Sequence, residues 1–579
     1  MALEAAARRS GAALTVAGGE RTLSYDELGR ELRKIAGGLI ALGVAAGDRV
    51  SILAETRLEW ALADLGSLCA GAVVVPIYHT NSPDECAYVL AHAGSRVVFC
   101  EDAAQVAKIA QVRSQCPDLE HVVVIEGEAP GALTLGELRS RAGAPDLVDE
   151  RVAAIRPDDL ATLVYTSGTT GPPKGCMLTH SNVLETMRLY TRRLGLDREP
   201  PSIFMFLPLA HVLARVTQLV TIDVGGTLIF WRGDPKRLAD DLKEAQPTHV
   251  PAVPRIYEKV QRAILDRVEA GERLKRELFG WALREGHAMR VAERGGGSPG
   301  PLRRVRHALA DRLVLRQVRS VFGGRLQQAL VGAAPIGAEV LEFFDACGVE
   351  ILEGYGMTES CAAATLNLPG SPRFGTVGPP LDETQVAIDD DGEVLLRGPN
   401  VFPGYYRDEA ATRETLRDGW LLTGDLGELD AEGCLRLTGR KKDIIITSSG
   451  KNVTPVNIEN ALRESRWVSE AVVYGDRRQY LVALLTLDPD QLGHLAELVG
   501  APPATDAATL SADPRARAAL QAEVDAANAR FARIEQVKRF AILDHDLTQA
   551  AGELTPTLKI KRAFIYDRYK DLFASLYDD

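Results

Sequence analysis

The sequence predicts an α/β protein in two parts: a large body of mostly parallel sheets with flanking helices, then a small α+β unit. Three observations carry this. Over the first hundred residues short apolar strands alternate with helical spacing; after Thr384 the chain turns to short strands and tight turns; from Pro455 a compact stretch mixes apolar strands with helices. Strands joined through helices run parallel and are covered on both faces.

The elements follow in order. Residues 49–54 (RVSILA), 72–77 (AVVVPI) and 95–100 (SRVVFC) read as buried strands, and 58–68 and 83–92 between them as helices. The strand pattern resumes at 121–125, 160–166, 227–231, 326–331 and 349–353. Residues 261–320 break it: they are helical and charge-rich, interrupted by Arg294-Gly-Gly-Gly-Ser-Pro-Gly-Pro301, and read as a helical insertion. Asp389-Asp-Asp-Gly392 marks a hairpin between 385–388 and 393–397. Further strands are expected at 434–437, 443–447, 468–474 and 481–487, with a domain boundary at 439–443.

Composition narrows the function. The 579 residues are 46% hydrophobic and 25% charged, as in a globular enzyme, and are long enough for several structural units. Lys and Arg number 67 against 79 Asp and Glu, a net charge of −12, which argues against nucleic acid as the main partner. The best local basic patch is Arg303, Arg304, Arg306, Arg312, Arg316 and Arg319. The eight cysteines form no C-x-x-C pair and have no His at metal-ligand spacing, which reads as a reduced, cytoplasmic protein without a zinc site. The most apolar long stretch, 61–78, is broken by Asp64, several glycines and Pro76, so it reads as helix then strand rather than a membrane span. Peripheral contact at the inner membrane face and a homodimer are left open.

The chemical signal is Tyr165-Thr-Ser-Gly-Thr-Thr-Gly-Pro-Pro-Lys-Gly175, which follows strand residues 160–164. Thr166, Ser167, Gly168, Thr169, Thr170, Gly171 and Lys174 crowd hydroxyls, glycines and a cation into one loop. Glycine lets backbone N–H groups converge on an anion, and the hydroxyls and lysine add donors and charge, which suits a triphosphate. The string is not the P-loop pattern, because Lys174 stands three residues past Gly171 and is followed by Gly175.

On this string the chain resembles the adenylate-forming superfamily of acyl-CoA synthetases, peptide-synthetase adenylation domains and beetle luciferases, whose other motifs follow in order. Gly332-Ala333-Ala334-Pro335 resembles the segment lining the adenine pocket. In Gly354-Tyr355-Gly356-Met357-Thr358-Glu359 the resemblance implies Tyr355 stacked on adenine, Thr358 at the α-phosphate, and Glu359, with Thr166, toward Mg²⁺. It implies ribose contacts for Asp425 and Arg440 and a place for His211 at the carboxylate end of the acid site. Lys559, in Leu554-Thr-Pro-Thr-Leu-Lys-Ile-Lys-Arg562, is the implied catalytic lysine, preferred over Lys561; Leu558 stands where the common pattern has glycine. Counting from Arg440 makes Lys442 the hinge, counting back from Gly450 makes it Asp443, and Gly450 would line the pantetheine tunnel.

What the resemblance implies overall is a large N-terminal adenylate-forming domain at 1–439, with a small β-barrel-like subdomain, a hinge at 440–443 and a mobile α+β C-terminal domain at 444–579. The implied reaction is that of a long-chain fatty acid–CoA ligase: ATP, a fatty acid and coenzyme A give acyl-CoA, AMP and pyrophosphate through an acyl-adenylate, with Mg²⁺. Val253-Pro-Arg-Ile-Tyr-Glu-Lys259 and the helical insertion are similar to the long-chain branch, while Arg215 holds the place where some long-chain members carry a gating Trp. Transfer to a carrier protein, or a medium-chain or aryl acid, are the alternatives.

Overall fold

Seven strands form the first sheet in the order Leu133–Thr134, His121–Val124, Ser95–Cys100, Arg49–Leu53, Val73–Ile77, Leu160–Thr166, Lys174–Thr179. All neighbours are parallel except the last pair. The computed structural model describes residues 1–166, 172–295, 299–555 and 558–578. Val73–Ile77 is buried along its whole length, as a central parallel strand must be. Its ladder to Leu160–Thr166 is limited to Val74 opposite Thr162, in keeping with Pro76, which has no N–H to give. Ser82 and Glu85 cap the helix Pro83–Ala93 reciprocally, with Pro83 in its first turn, and this fixes where the strand-to-helix loop ends.

The second sheet runs Ala362–Leu366, Ile351–Met357, Gln328–Val331, His249–Ala252, Ser202–Met205, Thr227–Phe230, Ala12–Val16, Thr22–Ser24, and is antiparallel only at its two edges. The strand expected at 349–353 runs on to Met357, because Ala362–Leu366 pairs antiparallel with Gly354–Met357. A third, antiparallel sheet joins Gln385–Ile388, Glu393–Arg397, Trp420–Leu429, Leu416–Arg417 and Leu435–Arg440, where the barrel-like subdomain was expected. Past it, Val468–Tyr474, Leu481–Leu487 and Val537–Ile542 form a three-stranded sheet with flanking helices. The strand expected at 443–447 shrinks to Ile445–Ile446, since a single 3₁₀ turn occupies Lys441–Asp443.

Each apolar core keeps to one side of that turn. The clusters around Trp60, Val98 and Phe344 draw on residues no later than Leu437, whereas those around Phe540 and Phe573 begin at Ile445. What joins the two sides is charge. The insertion begins at Pro254, earlier than 261, because proline after the extended Val253 starts the helix Pro254–Glu269. Arg255, Lys259, Arg262 and Asp266 fall three or four residues apart on that helix and so share a face. Arg255 meets Glu470 at 2.6 Å, Lys259 meets Asp490 at 2.7 Å, Arg262 pairs with Asp488, and Asp266 receives Arg466 at 2.9 Å. The helices Arg273–Arg294 and Pro301–Ala310 follow. Gly286 lets the first of them approach Ala346 closely: an added Cβ would fall 2.0 Å from that carbonyl oxygen.

Candidate functional site

Parallel strands end together, and at one such edge the strings expected to bind nucleotide meet. Gln328–Val331 and Ile351–Met357 pair in register with Val331 opposite Glu353, so Gly332 leaves the sheet beside Gly354. An added Cβ on Gly332 would lie 3.3 Å from the Gly354 carbonyl oxygen. At Gly356 the strand crosses Ala362 so closely that a Cβ would come within 1.8 Å of its carbonyl oxygen. Ala333 takes the left-handed conformation, φ 70°, at the bend that turns Ala334 and Pro335 away.

Tyr355 carries the line to the third sheet: its hydroxyl donates to Asp425 Oδ2 at 2.8 Å. Burial first, then the Asp425 charge, raises the Tyr355 hydroxyl well above the ordinary phenol range, so it stays a neutral donor. Asp425 faces Arg440 across the antiparallel pair Trp420–Leu429 and Leu435–Arg440, and Arg440 Nε donates to its Oδ1 at 2.8 Å. A carboxylate held this way has oriented lone pairs for neighbouring hydroxyls.

The string expected to bind phosphate contributes its described ends. Thr166 pairs with Lys174 across the strands Leu160–Thr166 and Lys174–Thr179, while Ser167, Gly168, Thr169, Thr170 and Gly171 lie outside the described residues. Lys174 Nζ stands 5.1 Å above the Tyr405 ring, and the Tyr405 hydroxyl donates to Glu359 Oε1 at 2.7 Å. Between Thr166 and Glu359 lies the thiol of Cys176, which the sequence reading did not single out. Burial, then the Glu359 charge, keeps it protonated. Thr358 and Glu359 are both buried in the 3₁₀ turn Thr358–Ser360. Among the described residues no cluster of three or more His, Cys, Asp or Glu could hold a metal by itself. One carboxylate with phosphate oxygens and waters is, however, the common magnesium arrangement, and Glu359 with the Thr166 hydroxyl fits it.

His211 caps the helix Val212–Asp223: its Nδ1 accepts from the Leu213 amide at 3.3 Å. Burial, reinforced by the nearby Lys559 charge, pushes the imidazole down to about 4. The ring is therefore neutral, with its proton on Nε2. The helix that begins at His211 also walls a cavity of about 310 Å³, lined mostly by apolar groups, with Val212, Val216, Leu219, Leu65 and Met187 among them. Arg215 stands in the same wall, clamped to the buried Asp64 at 2.5 Å, with Gln218 donating to that carboxylate at 2.9 Å.

Lys559 arrives from the other side of the Lys441–Asp443 turn. Its loop is pinned by the Leu554–Ile560 bridge, by Thr555 N–H donating to the Lys559 carbonyl at 2.8 Å, and by Lys559 N–H donating to Thr555 Oγ1 at 3.0 Å. Below it Glu553 is fully buried and accepts from the Tyr569 hydroxyl at 2.6 Å. Leu558 takes φ 60°, the left-handed region where glycine is at ease. Lys559 is reachable by water in the cleft yet ringed by protein. Burial, then the Arg440 charge, lowers its ammonium below the ordinary lysine range, against the pull of Asp425 and Glu359. Lys561, the neighbouring alternative, instead starts the helix Arg562–Arg568. Lys442 is exposed, and Asp443 lies 3.9 Å from Arg562. Gly450 is exposed at φ 76°, with open space where a Cβ would go.

Sequence reasoning passed over Glu353. It is buried, burial pushes its carboxyl up to about 8, and its Oε2 has no partner among the described residues. The signal was a lone glutamate ending an apolar strand, directly before Gly354.

The family description "AMP-binding enzyme" matches residues 3–406, and "AMP-binding enzyme C-terminal domain" matches 442–579. Long-chain-fatty-acid–CoA ligase FadD15 of Mycobacterium bovis is 40% identical over 558 residues, 95% of this chain and 92% of that protein. Long-chain-fatty-acid–CoA ligase ACSBG2 of Xenopus laevis is 33% identical over 96% of this chain and 80% of its own length. Among solved structures, the anthranilate CoA ligase AuaEII in complex with anthranoyl-AMP superposes with a TM-score of 0.74 at 23% identity, covering 99% of this chain and 98% of that one, a likeness of fold alone.

Proposed function

The chain belongs to the AMP-binding enzyme family, and from that membership we infer that it is a long-chain fatty acid–CoA ligase. The observation that carries the reading is the convergence of residues from distant parts of the chain: the Lys559 ammonium feels Arg440, Asp425 and Glu359, and its charge in turn reaches the neutral His211. The fatty-acid relatives at 32–40% identity span most of the chain, which favours a long acid over an aryl one.

The reaction divides into two displacements. A fatty carboxylate attacks the α-phosphorus of ATP and pyrophosphate leaves; the coenzyme A thiol then attacks the acyl carbonyl and AMP leaves. Lys559 holds a donor toward the carboxylate and α-phosphate while negative charge moves to pyrophosphate, and its partly desolvated ammonium attracts those anions more strongly than one in bulk water. The neutral His211 presents Nε2–H to the carboxylate without exchanging a proton. Asp425 accepts from the ribose hydroxyls, and Tyr355 lies against the base. Thr166 and Glu359 would hold Mg²⁺, which would neutralise phosphate charge. The cavity beside Val212, Val216 and Leu219 receives the acyl chain, running away from His211 along the helix. Residues 440–443 form the hinge, through Lys442 or Asp443, about which residues 444–579 turn between the steps and bring Gly450 to the thiol path.

The test compares wild type with Lys559→Ala on palmitate, ATP, Mg²⁺ and coenzyme A. Wild type forms AMP and palmitoyl-CoA. The variant loses adenylation by on the order of 10²–10³, yet still converts supplied palmitoyl-adenylate to the thioester. Formation of the adenylate alone by wild type would replace coenzyme A with a carrier protein as acceptor.

A further inference from the structure

Fourteen large hydrophobic side chains are exposed among the described residues, and six of them fall between residues 274 and 313. That concentration singles out the helical insertion. Leu302, Val305 and Leu309 follow at i, i+3 and i+7 on the helix Pro301–Ala310, and Leu313 continues the line into the next turn. Their exposures are 71%, 67%, 51% and 41%. The opposite side of the same segment does the packing, through the buried Ala310, Leu315 and Val318. An amphipathic helix ordinarily buries its apolar stripe; here a second apolar stripe is turned outward.

Arginines border the stripe. Arg303, Arg304, Arg306, Arg312 and Arg316 are all exposed. Arg306 pairs with Glu285, but among the described residues no ion pair or hydrogen bond engages Arg312 or Arg316. The patch is basic on a chain whose net charge is −12, so its sign is local rather than a share of a general surplus. Apolar side chains in a row with flanking guanidinium groups match an anionic bilayer surface: the leucines enter the acyl boundary and the arginines reach the phosphates. A protein groove would account for the apolar row but not for two free arginines beside it.

We propose that the segment from Pro301 to Arg316 lies in the interface of an anionic lipid membrane, docking the protein peripherally through Leu302, Val305, Leu309 and Leu313. The docking does not depend on which acid the enzyme activates, and its failure would leave the ligase reading untouched.

The experiment is sedimentation with vesicles of phosphatidylcholine alone and of phosphatidylcholine with phosphatidylglycerol, using the full chain. Wild type is expected to bind the anionic vesicles and not the neutral ones. Raising salt until the Debye length falls from about 10 Å to about 3 Å releases it. Leu302→Asp with Val305→Asp and Leu309→Asp, and separately Arg312→Glu with Arg316→Glu, each weaken binding by at least about tenfold. As a second measurement, the eight native cysteines are buried, so Ala308→Cys can be labelled selectively with a polarity-sensitive dye. Its emission shifts to the blue on anionic vesicles. The proposal is overturned if wild type ignores anionic vesicles, if both sets of substitutions leave binding unchanged, or if the dye stays in water. A wild-type dimer that the aspartates disperse, without vesicle binding, would overturn it too and assign the stripe to a second copy.

Discussion

Leu558 stands one residue before Lys559 with a left-handed backbone. For a side chain other than glycine's that conformation costs roughly 1–2 kcal/mol. Leu558→Gly removes the strain but adds unfolded-chain freedom of about 1 kcal/mol, so its stability should change by less than about 1 kcal/mol. Leu558→Val puts a β-branch where the backbone tolerates it least, and thermal unfolding should rank it below both. Glu353 gives a pH signature. Its carboxyl is pushed up to about 8 in the folded protein, so folding favours the protonated form. That contribution is complete below the ordinary glutamate range and is lost as pH rises from there toward about 8, with a slope of at most ~1.4 kcal/mol per pH unit. Glu353→Gln, which cannot ionise, should flatten that decline in denaturant melts taken across the window. His211 is pushed down to about 4, so no histidine step from it should appear in the adenylation rate at neutral pH.

Among the elements, the strand Ile351–Met357 and the helix Pro254–Glu269 are the most exacting. Gly356→Ala sets a methyl against the Ala362 carbonyl and should destabilise by on the order of 3 kcal/mol, read as a lowered denaturation midpoint. The charged face of Pro254–Glu269 holds the Lys559 side of the protein by ion pairs rather than by a shared apolar core. Arg255→Ala should slow ATP–pyrophosphate exchange about fivefold, the weight of the ~1 kcal/mol taken for this partly exposed pair, without slowing thioester formation from supplied acyl-adenylate. An equal loss in both assays would mean that the face steadies the fold instead. Local pattern made several of these elements legible: Ser95–Cys100, Leu160–Thr166, Val468–Tyr474 and Leu481–Leu487 run as their apolar stretches predicted. The helical insertion was legible only from 261 on, and the charged face of its first helix was not, because Glu470 and Asp488 are more than two hundred residues away.

For the whole molecule, the order of motifs along the chain singled out the strings proposed to bind nucleotide and the lysine proposed as catalytic, since each depends on a few adjacent residues. Cys176, Glu353 and the Asp64–Arg215 pair were not announced. A buried thiol, a neutral acid and an ion pair owe their character to what surrounds them, and the surroundings come from other strands. The separation of the cores has a practical consequence for a damaged molecule. Heat or denaturant that melts only the core around Phe540 would leave the nucleotide strings standing on their sheets, but would carry Lys559 away with the melted part. Such a molecule should still hold ATP while being unable to spend it, so partial unfolding should silence turnover before it abolishes nucleotide binding.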